Sequence, residues 1–552
     1  MAEKILVGVA WPYANGPLHL GQIAGAYLPP DIFARYHRIK GNEVLMVSGS
    51  DQHGTPITIR AEQEGKDPQE IASRYHQMFL KSWQDLGITF DMFTTTGTEN
   101  HTRVAQDMFK TLLDNGYIYK DSVPQPYCDN CKRSLPDRYV EGDCPFCADS
   151  GARGDQCDNC GKPLNAAELL KPRCGVCGNT PRFQESEHFF LKLSAFQDKL
   201  KEWIESKDYW RPNVSNFSMH FIKEGLRDRA ITRDINWGIP LPLEGYENKR
   251  LYVWFEAVIG YLSASKEWAQ KNGDPDKWRR FWQGDAKSYY FIGKDNIPFH
   301  TIVWPAMLLG YGGLNLPYNV PSNEYLTIEG RKLSSSRNWA IWVPDYISRY
   351  DADPLRYLLS ANMPETNDTD FSWREFVRRN NDELVATYGN LIQRTLTFVY
   401  RNYDGKIPSD GELDGRGKEL VAAAEKAFDE VGSAIGRCRF KEAIKKAMAL
   451  AQLANRYLEE TAPWKKIKED KEEAARSLYA VLAVISGLRI IMYPFLPFSS
   501  QKIHNYLGYE GKVEKDSWGL RMPQPGTVLS EPKPLFTKLD EKIIEEETAR
   551  LG

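Results

Sequence analysis

Eight of the nine cysteines in this 552-residue chain fall into four Cys-x-x-Cys pairs: Cys128/Cys131, Cys144/Cys147, Cys157/Cys160 and Cys174/Cys177. Disulfides at such spacing would suit an exported chain. The N-terminus, Met1-Ala2-Glu3-Lys4, instead runs straight into an apolar strand, with no basic segment and long apolar run to direct export. The chain is therefore expected in the cytoplasm, where this pattern points to metal. Eight thiolates make two tetrahedral four-cysteine sites with no open coordination position, so two structural zinc ions are expected. Cys438 stands apart and is expected as a buried helix residue.

The cysteine block interrupts a regular alternation. Residues 5–10 form a continuous apolar run, as a strand buried on both faces should. A loop (11–22), a helical stretch broken at Pro29-Pro30, a second strand (43–48) and a loop (49–56) follow. Asp67 then opens a helix, with Pro68 at its first position and Glu70 as capping-box partner. Strand-helix alternation implies a parallel sheet, so the cysteine block reads as an insertion into an α/β domain. The alternation resumes near Arg233, with 252–255 and 289–293 as later strands. From Phe376 onward the chain reads as helix, with Leu384, Tyr388, Leu391, Ile392, Leu396 and Val399 in a stripe at helical spacing. The expected fold is α/β: a Rossmann-type parallel sheet, an inserted zinc-knuckle domain and a following all-helical domain.

Charge and hydropathy limit the partners. A net charge of -3 argues against a uniformly basic nucleic-acid binder but leaves room for a local basic face. Residues 437–469 supply one, with nine Lys or Arg against four Glu. The most apolar stretch, 478–488, is too short to span a bilayer and is expected as a core helix, so no membrane partner is expected.

Two loops carry chemistry. The first, 11–22, follows the first strand, at the end of a parallel sheet where ligands bind. Gly16 and Gly21 permit close backbone approach, and His19 can donate to phosphate oxygens beside a helix N-terminus. The second is Glu329-Gly330-Arg331-Lys332-Leu333-Ser334-Ser335-Ser336-Arg337, where Lys332, Ser335 and Arg337 could meet charge building on pyrophosphate. Each alone could equally be a solvated loop.

Together they resemble the paired signatures of class I aminoacyl-tRNA synthetases: His19-Leu20-Gly21-Gln22 the "HIGH" motif, and Lys332-Leu333-Ser334-Ser335-Ser336 the "KMSKS" loop. Pro12-Tyr13-Ala14-Asn15-Gly16-Pro17-Leu18-His19 and Asp51-Gln52-His53-Gly54-Thr55-Pro56 are similar to the methionyl family in particular, as are 252–261, 291–295 and 462–464. Gln22 and Ser335 depart from the usual histidine and lysine. The resemblance implies adenylation of methionine by magnesium-bound ATP, then transfer to methionine transfer RNA. It places His19, Gly21, Gln22, Lys332 and Ser335 at ATP, and Arg233 and Arg337 at the reacting phosphates. Tyr13, Trp254, Ala257, Tyr261 and His300 would form the methionine pocket, with Asp51 on the ammonium. Asn390, Arg394 and Trp464 would read the CAU anticodon. It also implies nested zinc sites, Cys144, Cys147, Cys157 and Cys160 inside Cys128, Cys131, Cys174 and Cys177.

The expected division is a catalytic domain at 1–117 and 231–320, the zinc insertion at 118–230, a region carrying the second signature and contacting the RNA stem at 321–375, an anticodon-binding domain at 376–530 and a C-terminal segment at 531–552. A monomer is expected. Two other readings compete. A small-molecule nucleotidyltransferase would not need the helical half, and a zinc-ribbon RNA-binding protein would leave both phosphate loops idle. Among synthetases, the leucine, isoleucine and valine enzymes carry a larger editing insertion, and cysteinyl enzymes place a cysteine where this chain has Trp11-Pro12-Tyr13.

Overall fold

The computed structural model describes residues 2–552 apart from 158, 161, 163, 335, 336 and 410. At its centre lie five parallel strands: β1 (Lys4–Val9), β2 (Glu43–Ser50), β3 (Met92–Thr95), β4 (Lys287–Gly293) and β5 (Ser322–Asn323), in the order β5-β4-β1-β2-β3. Ile5, Leu6, Val7 and Val9 are fully buried, which accounts for the unbroken apolar run. The order reverses between β1 and β4, and the crevice beyond such a switch point is where open α/β sheets bind ligands.

Several local expectations change. Pro29-Pro30 does not break the first helix. The chain is helical from Leu20 to Ile39, passing through a π-helical turn, Ile23–Tyr27, and the prolines start the α-helical part, Leu28–Ile39. A proline lacks the N–H and crowds the carbonyl four residues back, and the wider turn absorbs both. Asp67 caps Pro68–Leu86 by accepting from the Gln69 N–H at 2.8 Å, whereas Glu70 pairs with Lys66 instead of closing a capping box. Residues 252–255 are not a strand. Tyr252 is the N-cap of a 19-residue helix, Val253–Lys271, and tertiary packing overrides the strand propensity of its aromatic start.

The insertion rises on an antiparallel pair, Ile118–Cys128 with Arg182–Leu191, and carries a small core of its own around Leu135, Tyr139, Val140 and Leu164. It docks on the catalytic layer through the Tyr139 hydroxyl, 2.8 Å from Thr58 and 3.0 Å from Glu62, and through Arg133 on Glu62 at 2.9 Å.

The helical half includes Gly415–Gly436, Phe440–Thr461, Lys471–Ile491 and Pro497–Tyr506. The apolar stretch expected to be short lies in the 21-residue helix Lys471–Ile491, long and apolar enough by composition to cross a membrane, but 89% of its apolar window is buried within the protein. Cys438 is buried as expected but sits in a turn between two helices at φ 56°, its carbonyl accepting from Arg211 at 2.7 Å. The helical half is joined to the sheet layer by a buried charge cluster. Asp31 accepts from Arg35 at 2.9 Å and Arg356 at 2.7 Å, and Arg356 also reaches the Pro494 and Phe495 carbonyls at 2.8 Å. Pairing of this kind makes buried charge tolerable.

Candidate active site

A cavity of about 560 Å³ opens beyond β1 and β4. Both signature loops reach it: His19, Gly21 and Gln22 line one wall, Lys332 and Leu333 another. The first loop pairs with the segment just after the second. The Leu20 N–H donates to the Ile341 carbonyl at 3.0 Å and the Val343 N–H to the Leu18 carbonyl at 2.8 Å. A Cβ on Gly21 would lie 2.3 Å from Leu333 Cδ1, so the Leu333 side chain of the second loop rests on the first loop at Gly21.

His19 is the N-cap of Leu20–Gln22. Its Nδ1 accepts from the Gln22 N–H at 3.4 Å, and Gln22 Oε1 accepts from the His19 N–H at 3.0 Å. That leaves Nε2 as the protonated nitrogen, a donor, and burial lowers the pKa to about 4. At neutral pH His19 is therefore a neutral hydrogen-bond donor. Gln22 uses its amide oxygen in the cap and keeps its NH₂ group for a ligand, which a capping histidine could not offer in addition to a second donor. Lys332, in the short strand Arg331–Lys332, is exposed at the cavity rim. Arg337 is exposed and does not line the cavity, and Ser335 lies outside the described residues.

The far end of the cavity is aromatic and neutral. Trp254 stacks on Phe299 with centroids 4.0 Å apart and meets Tyr13 edge-on at 6.4 Å. The His300 Nδ1–H donates to the Asn296 carbonyl at 2.9 Å, so Nε2 accepts the Tyr261 hydroxyl at 2.7 Å. Burial lowers the pKa of His300 to about 4, keeping the ring uncharged. Ala257 completes this lining. Asp51, only 3% exposed, sits beside Tyr13 at the cavity wall. Burial and the nearby Glu256 carboxylate push its carboxyl well above the ordinary range, and the His53 N–H at 3.2 Å only partly opposes them. No Lys or Arg pairs with it among the described residues, so a cationic group entering the cavity would supply the counter-charge that favours its ionised form.

Arg233 is not brought to this cavity. It is buried, 2.8 Å from Asp137 of the insertion, and lies over the Tyr252 ring at 3.8 Å. Several lining residues are not singled out by the sequence, among them Phe299, Arg138 and Gln156. Phe299 had a weak signal as the neighbour of His300. Arg138 and Gln156 had none, because only docking of the insertion carries them to the cavity.

The cysteines form two groups, Cys128, Cys131, Cys174 and Cys177, and Cys144, Cys147, Cys157 and Cys160. Within each, every sulfur lies within 4.8 Å of the others, and the closest pairs are 3.5 Å (Cys128 to Cys177) and 3.6 Å (Cys147 to Cys157). A tetrahedron with Zn–S near 2.3 Å has edges of about 3.8 Å, so both groups fit zinc and neither is disulfide-bonded. In the helical half, the Arg394 guanidinium lies over the Trp464 ring at 5.2 Å, with Nε and Nη2 buried and unpartnered. Asn390 is exposed one helical turn away.

A parallel-sheet domain with both signature loops on one cavity, a cysteine-rich insertion and a helical second half defines a class I aminoacyl-tRNA synthetase. The sequence matches the family described as tRNA synthetases class I (M) over residues 5–396 and the anticodon binding domain of methionyl tRNA ligase over 407–552. It is 66% identical to a methionine–tRNA ligase of Dehalococcoides mccartyi over the full length of both chains, and 52% identical to one from Thermomicrobium roseum, covering all of this chain and 99% of that one. The fold is similar to Mycobacterium tuberculosis methionyl-tRNA synthetase in complex with methionyl-adenylate, with a TM-score of 0.81, 25% identity and coverage of 97% and 100% of the two chains. The chain belongs to the methionyl-tRNA synthetases.

Proposed function

We propose that the chain activates L-methionine with ATP to give methionyl adenylate and then transfers methionine to the 3′ end of its transfer RNA. One observation carries this reading: a single cavity has the two signature loops at one end and, at the other, a neutral aromatic pocket beside a carboxyl group that pairs with no Lys or Arg among the described residues. Methionine would place its thioether among Tyr13, Trp254, Ala257, Tyr261 and His300, since sulfur packs favourably against ring edges. Its ammonium would pair with Asp51. Its carboxylate would attack the α-phosphorus of ATP, which carries its own magnesium. His19 Nε2–H and the Gln22 NH₂ would donate to the phosphates, the backbone at Gly21 would allow close approach, and Lys332, Ser335 and Arg337 would balance charge on the leaving pyrophosphate. Arg233 enters on resemblance alone. To meet a phosphate it would have to exchange Asp137 for it. Catalysis here is positioning and charge stabilisation, with no covalent enzyme intermediate.

We assign catalysis to 1–117 and 231–320, the zinc insertion to 118–230, the second signature and RNA-stem contact to 321–375, and anticodon reading to 376–530, with 531–552 as a C-terminal segment, in a monomer. When bound, zinc would hold the insertion folded through its eight thiolates. Anticodon reading falls to Trp464, Arg394 and Asn390. Arg394 already lies on the Trp464 ring with two buried N–H groups unpartnered, an arrangement suited to an unstacked base. Stacking on such a ring contributes about 1–3 kcal/mol. Trp464→Ala is therefore expected to slow charging of a CAU transcript about 5–150-fold, while methionine-dependent ATP–pyrophosphate exchange stays near normal. Equal loss of both would make Trp464 structural. Equal charging of a transcript with an altered anticodon would remove anticodon reading altogether.

A further inference from the structure

Glu256 is a fully buried carboxylate that the reading above does not use. It lies on the helix Val253–Lys271, whose Trp254, Ala257 and Tyr261 face the cavity, but at about 100° per residue it points to the other side. There it meets two imidazoles. His53 Nδ1 is 2.9 Å from Oε1 and 3.0 Å from Oε2, and His101 Nε2 is 3.4 Å from Oε2. Among the described residues no lysine or arginine pairs with it.

The contacts form a circuit, in which His101 Nε2 lies beside Glu256 without hydrogen-bonding it. Asp51 Oδ1 accepts from the His53 backbone, the His53 ring bonds Glu256, and His101 Nδ1 is 2.8 Å from Ser263 Oγ. The Ser263 hydroxyl donates back to the Gly260 carbonyl of the Glu256 helix at 3.1 Å. Gly54, at φ 86°, closes on the same helix, where an added Cβ would sit 3.2 Å from the Val253 side chain. One carboxylate thus holds the loop that carries Asp51 against the helix that carries the aromatic pocket.

We propose that Glu256 is a positioning residue: held by the His53 ring, it fixes the Asp51 loop to the pocket helix and so sets how tightly the enzyme grips the substrate amine. This rests on Asp51 being the ammonium partner. The circuit couples recognition of the amine to recognition of the thioether, because the two contacting surfaces cannot move independently. It also places two carboxylates near each other. The groups facing Asp51 are Tyr13 beside it, Glu256 from the helix and, through Glu256, His53 and His101. Of these, Glu256 is the group that raises the Asp51 carboxyl by its charge.

The test measures KM and kcat for methionine across pH, and inhibition by desamino-methionine, which keeps the thioether and carboxylate but lacks the amine. Asp51→Asn should abolish the preference for methionine over the desamino compound. If that preference survives, the ammonium reading fails whatever Glu256 does. Glu256→Gln keeps the shape and a hydrogen bond to His53 but removes the charge. It should raise the KM for methionine about tenfold, leave inhibition by the desamino compound unchanged and alter kcat little. The acid limb of kcat/KM should move to lower pH, because Asp51 loses a like-charged neighbour. A merely structural role would weaken both ligands alike and leave the limb in place, and either result overturns the proposal. If Glu256→Gln does not fold, His53→Ala, which removes the ring bonded to Glu256, reads the same selectivity, and equal loss of both ligands in that variant also overturns the proposal.

Discussion

Replacing His19 with alanine is expected to lower kcat for adenylate formation about 10²–10³-fold, the range for losing one preorganised transition-state donor. The KM for methionine should change little, because the side chain lies at the phosphate end of the cavity and not among the rings around Trp254. The size of the effect follows from the state of the ring. Burial lowers its pKa to about 4 and the cap occupies Nδ1, so His19 holds a neutral N–H in a fixed direction without a charge to desolvate. Such a donor can bond the oxygens of the pentavalent transition state more strongly than those of ground-state ATP without reorganising. Pre-steady-state adenylate formation checks it, and near-normal turnover would remove His19 from the chemistry. Gln22→His and Ser335→Lys, which restore the usual signatures, should preserve or raise the rate. A large loss on Ser335→Lys would show that this loop works differently.

Removing zinc should be equally severe but differently distributed. A structural zinc site contributes about 10–16 kcal/mol of binding free energy. Set against that, the small core around Leu135, Tyr139, Val140 and Leu164 has little to hold the insertion with. Two zinc ions per chain are expected by elemental analysis, and Cys144→Ala should release one and keep the other. The insertion should then become sensitive to limited proteolysis while the helical half stays resistant. Transfer to RNA should fall more than adenylate formation. Adenylate formation will not be spared, because Gln156 and Cys157 of the inner group line the cavity and Arg138 is carried there by the same fold. Protein purified without chelator and free of zinc would refute the assignment.

What could be read in the sequence followed from patterns that repeat or carry strong local physics. The four cysteine pairs gave two clusters with the nesting that family resemblance implied. The apolar run at 5–10 gave the central strand, and the loop after it gave His19. What could not be read depended on packing between distant segments. The aromatic run at 252–255 has strand composition, yet the docked helix decides its conformation. Pro29-Pro30 reads as a break only if the turn before it is an ordinary α-turn, and it is not. Resemblance places Arg233 at the phosphates, but its position beside Asp137 depends on where the insertion settles. Arg138 carries no local signature, and Glu256, though inside the recognised segment 252–261, gains its partners from elements more than a hundred residues away.

The account makes the chain an enzyme that selects methionine by its thioether and amine before any RNA arrives. The most direct measurement is ATP–pyrophosphate exchange in the absence of RNA, with each amino acid supplied singly. Exchange should require a free amino acid and should be fastest with methionine. Isoleucine, leucine, valine and cysteine should be far weaker, since none fills an aromatic pocket shaped around Trp254 and Phe299 and also presents a thioether to it. Exchange that proceeds without amino acid, or better with isoleucine or cysteine than with methionine, would contradict the reading of this cavity.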